Sequence, residues 1–132
     1  MSGVLRAFRR PRLWLAIGLA LVASVVVGSL LPADELPPAP IVGFDKIEHI
    51  VGYAVLSAYA VMLFAQRRAQ LLAAAGLVLL GIGLEFAQEF WTVSRSADLA
   101  DALADLVGVV AGLALTGTPL ARALQRIDAR LR

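Results

Sequence analysis

The chain has 132 residues, 60% of them hydrophobic and 17% charged, and a mean hydropathy of +0.81. So few polar residues cannot cover a water-facing surface, which excludes an ordinary soluble domain. The chain has no cysteine, which removes disulfides, thiolate metal sites and cysteine nucleophiles together.

The length allows one domain over residues 1–132, and the pattern predicts an all-α membrane protein. The expected fold is a four-helix transmembrane bundle followed by a C-terminal interfacial amphipathic helix. A bilayer core about 30 Å thick needs roughly 20 helical residues to cross it. Residues 13–31 carry no charge and form the clearest span. They are longer than a typical signal-peptide core, and Ala33-Asp34-Glu35 is a poor cleavage site, so a retained anchor is expected. Arg9-Arg10 reads as a pair of topology arginines rather than a twin-arginine signal.

Pro32, Pro37, Pro38 and Pro40 crowd the first connection, where proline blocks helix continuation. The second and third spans are predicted over residues 47–65 and 69–90, joined closely enough to be antiparallel neighbours. Trp91 opens the third connection and suits a membrane interface. A fourth span is predicted over 99–118. In the tail, 119–132, Thr118 and Pro119 read as N-cap and first helical residue. There Leu120, Leu124, Ile127 and Leu131 recur at helical spacing, with Arg122, Arg126 and Arg130 on the other side. Such a helix lies on the inner leaflet with its arginines toward anionic headgroups, or is a short solvated element that fixes orientation.

The net charge of +2 and a pI near 9.7 would suit a nucleic-acid binder, but the positions of the basic residues say otherwise. Arg6, Arg9, Arg10 and Arg12 precede the first span, Arg67 and Arg68 separate the second and third, and Arg122, Arg126, Arg130 and Arg132 follow the fourth. Lys46 and Arg95 alone occupy the other two loops. By the positive-inside rule both termini are cytoplasmic, in a multi-pass protein of a bacterial inner membrane. The partner expected is therefore the lipid bilayer, and no nucleic acid. Of the acidic residues, Asp128 alone falls on the inner side.

Ionisable groups inside a membrane helix cost about 2.5–3.5 kcal/mol near its centre and less toward the interface, so their placement is informative. At helical periodicity Asp45, His49 and Tyr53 form a stripe at the start of the second span. Gly81, Glu85 and Gln88 form another near the end of the third, with Glu89 beside it. Asp98, Asp101, Asp105, Gly108 and Gly112 share an arc of about 80° on the fourth. With both termini inside, these stripes share one depth near the outer surface and can face one another. The two glycines allow close approach of helix backbones.

Asp45, Glu48, Glu85, Glu89, Asp98, Asp101 and Asp105 outnumber Lys46, Arg95 and His49, so ion pairs alone cannot balance them. Asp45, Glu48, Glu89 and Asp98 are shallow enough to be solvated; Glu85, Asp101 and Asp105 are the deep ones. Three explanations compete. The first is a buried network in which Arg95 and Lys46 pair with Glu85 and Asp101 and fix helix register. The second is a site for an amphiphile with polar groups at the outer headgroup level. The third is a catalytic or metal site, whose hard oxygen ligands would suit Mg²⁺, Mn²⁺ or Ca²⁺. No nucleophilic triad is visible: Ser57 lies mid-span, and Ser94 and Ser96 are loop hydroxyls beside Arg95.

These residues resemble the signature of the VanZ-like family of small bacterial membrane proteins. Asp45-Lys46-Ile47-Glu48-His49 with the following Gly52-Tyr53 is similar to the family's Asp-Lys-x-x-His start. Glu85-Phe86-Ala87-Gln88 matches Glu-x-x-Gln, and Arg95, Asp98-Leu99-Ala100-Asp101 and Gly108 continue the pattern. The likeness covers residues 45–112. Where the family usually carries asparagine this chain has Asp105, which adds a deep carboxyl. The resemblance implies a presumptive family site at these polar positions. The family's namesake accompanies glycopeptide resistance clusters and is linked to teicoplanin susceptibility.

The expected function is a binding or modulating protein whose outer-leaflet polar site engages a lipid or lipid-linked cell-envelope molecule. Glu85, Asp101 and Asp105 would form its anionic floor, Arg95 and Lys46 would meet phosphate or carboxylate, and His49, Gln88 and Tyr53 would supply directed hydrogen bonds, with Asp45 and Asp98 at its rim. The alternatives are a metal-dependent intramembrane enzyme acting on such a substrate and a structural subunit with no ligand. No cofactor is expected, a divalent cation at the acidic cluster being left open, and no catalytic residue is assigned.

Overall fold

The computed structural model describes residues 3–93 and 96–132. The described residues form five α-helices and no β-strand, apart from an isolated bridge between Leu5 and Phe64. Helix α1 is Pro11–Leu30, α2 is Phe44–Leu63, α3 is Arg67–Trp91, α4 is Leu99–Leu113 and α5 is Ala123–Arg130. The first three are long and apolar enough to cross a membrane.

Local chemistry sets the boundaries. Pro11 starts α1, where its missing N–H is no loss, and Leu31, forced extended by Pro32, ends it. Gly43, at φ +79°, supplies the left-handed residue from which α2 begins. The carbonyls at the end of α2 are satisfied from outside: Arg6 donates to Val61 O through Nε (3.2 Å) and Nη2 (3.1 Å), and Gln70 Nε2 donates to Phe64 O at 2.9 Å.

Two expected boundaries differ. The fourth helix stops at Leu113, because the chain tightens into turns, Leu115 N bonding Gly112 O and Thr116 N bonding Leu113 O, before Gly117 reverses it at φ +81°. Its 15 residues advance about 22 Å, short of a full hydrocarbon core. The tail begins as a 3-10 turn, Pro119–Arg122, and only then becomes α5. Thr118 stands at the N-cap position without a side-chain cap; its hydroxyl donates back to Leu115 O at 2.6 Å instead.

Contacts at successive levels give the helix directions. His49 meets Asp105 and Ser57 meets Val109, so α2 and α4 run parallel. Gly81 meets Asp105 and Gln70 meets Thr116, so α3 runs opposite to α4. The α2–α4 contact is the most extensive. Its glycines explain why: a Cβ on Gly112 would lie 2.5 Å from Ser57 Cβ and 2.6 Å from Ala58 N, and one on Gly108 would fall on Ile50 O. Tyr53, Leu56, Ala74, Leu77 and Val109 form the main core, with Leu21, Val22 and Val25 of α1 against it.

Helix α1 buries only Trp14 among its residues. It is held at both ends, by Tyr59 Oη donating to Trp14 O (2.6 Å) and Gln88 Nε2 donating to Ser29 O (2.9 Å). Between them the Gly18 side of α1 stands over a cleft lined by Leu56, Leu77 and Leu80. The outward faces are apolar: Leu19 is 71% exposed, Leu79 69% and Trp91 80%. Such a surface suits hydrocarbon and not water.

Both described ends of the chain meet at one end of the helices. Leu124 turns inward against Trp14 and Leu63, and one turn later Asp128 accepts from Trp14 Nε1 at 2.9 Å and from the backbone N–H of Arg9. Burial opposes the charge of Asp128, but these bonds and the Arg10 backbone N–H hold its carboxyl below the usual range. Ile127 and Leu131 remain exposed, so the tail's apolar residues are divided between the protein and its surroundings.

Candidate functional site

At the opposite end, α2 and α4 both begin and α3 ends. Two helix N-termini thus point positive backbone ends toward the same region, which favours carboxylates there. Asp98 stands at the N-cap of α4, its Oδ1 accepting from Ala100 N at 2.8 Å. Its own backbone N–H donates to Glu85 Oε2 at 2.9 Å, and Ala97 N–H donates to Glu89 Oε2 at 2.6 Å. The last turns of α3 therefore hold the entry to α4 through two carboxylates.

Among the described residues, Lys46 is the lysine or arginine of this end. Its Nζ bonds Asp98 Oδ2 at 2.7 Å, Asp45 Oδ2 at 2.9 Å and, shorter still, Asp101 Oδ1. Three acceptors use the three donors of an ammonium. The Lys46 ammonium and the Ala100 N–H together hold the Asp98 carboxyl below the ordinary aspartate range. One layer deeper, His49 lies between two aspartates: Nδ1 is 2.7 Å from Asp105 Oδ1, and Nε2 is 3.6 Å from Asp101 Oδ2. Glu85 closes the layer from α3. One ligand atom from each of His49, Glu85 and Asp105 falls within 4.8 Å of the others.

Burial sorts the carboxyls by depth. Glu85, Asp101 and Asp105 are buried, at 6%, 8% and 2% exposure, while Asp45, Glu48 and Glu89 are exposed and Asp98 is half-buried. Asp105 fits at its depth because α3 presents Gly81 there: a Cβ on that residue would lie 2.7 Å from Asp105 Oδ2. Gly81 shares a helical stripe with Glu85 and Gln88, and its missing side chain acquires a role only through the pairing of α3 with α4.

Several expected roles change with the geometry. Lys46 is committed to carboxylates of the chain, Asp101 among them as the network explanation expects, so it has no donor left for a ligand phosphate. Gln88 turns to Ser29 O and anchors α1. The Tyr53 ring belongs to the apolar core beneath His49. Ser57 donates to Val109 O at 2.7 Å and serves helix packing. Arg95 and Ser94 lie outside the described residues, so neither the expected Arg95 pairing with Glu85 nor its meeting with a ligand anion has a geometry here.

The arrangement can do two things chemically. Carboxylates in excess of cations, at a depth where water is scarce, attract a positively charged or hydrogen-bond-donating group. Alternatively, His49 with Glu85 and Asp105 offers one nitrogen and two oxygen ligands, a mixed set that leans to the harder divalent ions; a cation there would displace the bond between His49 and Asp105. No family model, curated protein or solved structure matches the chain.

Proposed function

We propose that the chain is a multi-pass protein of a bacterial inner membrane, a four-helix bundle with both termini cytoplasmic, whose outer-end polar cluster binds or modulates a lipid or lipid-linked cell-envelope molecule. One observation carries this reading: Glu85, Asp101 and Asp105, from two helices, are buried together around His49 of a third. Carboxylates so placed are costly in an apolar surrounding and call for a use. The orientation rests on the basic residues: Arg6, Arg9 and Arg10 precede α1 and Arg12 lies in its first turn, Arg67 and Arg68 follow α2, and Arg122, Arg126, Arg130 and Arg132 follow α4.

Because Lys46 is occupied, the group that enters the cluster is a cationic or hydrogen-bond-donating part of the ligand, such as an ammonium or sugar hydroxyls. The resemblance to the VanZ-like family supports an envelope molecule, and makes the response to teicoplanin-type glycopeptides the phenotype to score. Native mass spectrometry of gently solubilised protein tests the proposal: a lipid or lipid-linked species is retained by the wild type and lost from Glu85→Gln and Asp105→Asn. If both variants lose stability while lipid retention stays unchanged, the cluster is a structural network and the proposal falls.

The convergence of His49, Glu85 and Asp105 within 4.8 Å favours a second reading, a metal-dependent enzyme acting on the same kind of molecule. Stoichiometric divalent metal in the purified protein, removed by His49→Gln, supports it; metal content no higher than in that variant refutes it.

A further inference from the structure

The end of the molecule where the described chain ends meet contains a polar cleft, opposite in charge to the acidic cluster. It measures about 440 Å³ and is lined by Arg6, Arg122 and Arg126 together with Gly117, Thr118, Pro119 and Ala121. That volume lies within the range of small-ligand pockets, about 300–1,000 Å³. No carboxylate is among its lining residues. Asp128 is the acidic residue of this end, and its two oxygens are taken by Trp14 and the Arg9 backbone.

The three guanidinium groups are held differently. Arg6 is fixed by two bonds to Val61 O, which leaves the rest of its five donors unused. Arg126 gives one donor to Pro119 O at 3.0 Å. Arg122 is exposed, and among the described residues it has no ion pair and donates no side-chain hydrogen bond. The cavity is thus a concentration of like charge with donors to spare, and burial and then the neighbouring Arg122 both press the Arg6 guanidinium toward losing its proton. A bound anion with several oxygens relieves that repulsion and uses the forked donors two at a time.

We propose that the cleft between Arg6, Arg122 and Arg126 binds the phosphate of an anionic phospholipid at the headgroup level of the leaflet where both chain ends emerge. A lipid is favoured over free phosphate because Arg6 also lines an adjoining groove together with Leu5, Phe8 and Leu15. An acyl chain covers such residues, and inorganic phosphate does not. The turn at Gly117 and Pro119 folds the tail back so that Arg122 and Arg126 face Arg6. The site is therefore built by the fold and is more than diffuse surface charge.

The test uses the full chain in neutral detergent, with native mass spectrometry counting retained phosphatidylglycerol against phosphatidylcholine. Wild type holds phosphatidylglycerol selectively. Arg122→Gln/Arg126→Gln binds it about thirtyfold more weakly, the loss expected for two arginine contacts at a charged membrane surface. Arg130→Gln/Arg132→Gln, with the same change in net charge but outside the cavity, stays within about twofold of wild type. If the double variant is unstable, Arg122→Gln alone is read, since among the described residues that side chain makes no hydrogen bond. Equal losses in the two double variants, or none in either, overturn the proposal. Displacement of the lipid by inorganic phosphate at matched concentration overturns the assignment to a lipid.

Discussion

The close approach of α2 to α4 makes a sharp prediction at Gly112. A Cβ there would sit 2.5 Å from Ser57 Cβ, 2.6 Å from Ala58 N and 2.7 Å from Ala54 O, whereas ordinary contact begins near 3.4 Å. Two of these atoms are backbone, so no rotamer change relieves the clash and the helices must part by about 1 Å. That movement carries the bond from Ser57 Oγ to Val109 O, 2.7 Å long, out of hydrogen-bonding range. Overpacking costs about 1–3 kcal/mol and the lost bond about 1 kcal/mol, against a gain of about 0.5–1 kcal/mol from replacing a helical glycine. Gly112→Ala is therefore destabilising by about 2 kcal/mol. Gly83→Ala, whose new Cβ meets nothing within 4 Å, is stabilising by about 0.5–1 kcal/mol. Equilibrium unfolding in detergent micelles, followed by far-ultraviolet circular dichroism, measures both. Equal shifts for the two variants, or a stability of Gly112→Ala indistinguishable from wild type, would refute the packing argument.

Three further outcomes follow from named contacts. Lys46→Met leaves Asp45, Asp98 and Asp101 without their shared cation; because Lys46 is about one-third exposed, the cost is about 1–2 kcal/mol rather than that of a fully buried pair, and unchanged unfolding in micelles refutes it. Tyr59→Phe with Gln88→Leu removes the bonds to Trp14 O and Ser29 O of α1, so amide exchange in that helix accelerates while exchange in α4 does not; equal acceleration in both helices counts against end-pinning. Asp128 is held below the ordinary aspartate value of about 3.9, so its contribution to tail docking is complete above that value and is lost as pH falls through its lower folded value. Trp14 emission then changes only below about pH 4, and a transition near neutrality would contradict the assignment.

Three helices long enough to cross a bilayer, and the polar stripes, were legible because bilayer thickness imposes a length and helical geometry imposes a period. Residues 13–31 declare a span by having no charge, and the 3.6-residue repeat sets Asp98, Asp101 and Asp105 on one face together with Gly108 and Gly112. Depth could be read as well, since distance from the span end orders Asp45 against Glu85 and Asp105. Partner choice could not. Nothing in the residue order says that Lys46 bonds three aspartates, or that Gln88 turns to α1, because periodicity places a side chain on a face without naming what stands opposite. Asp128 illustrates the same limit: as the lone acid among arginines it reads as a surface charge, and its burial depends on Trp14, more than a hundred residues away in sequence. The early end of α4 followed from turn chemistry at Gly117 and Pro119, which an uncharged run up to Thr118 obscures.

The glycine contacts and the carboxylates are two halves of one arrangement. Gly108 and Gly112 lock α2 to α4 with backbones nearly touching, and this register sets His49 between Asp101 and Asp105. A buried cluster of charges contributes little net stability, because desolvation offsets much of the attraction. The packing below the acids therefore sets the α2–α4 register, and the charge cluster adds less to it. At position 105 an asparagine would accept the same bond from His49 without adding a charge. The carboxylate of Asp105, facing Gly81 across the α3 contact, raises the local demand for a compensating positive charge, and the α2–α4 contact supplies the stability that makes such a demand tolerable.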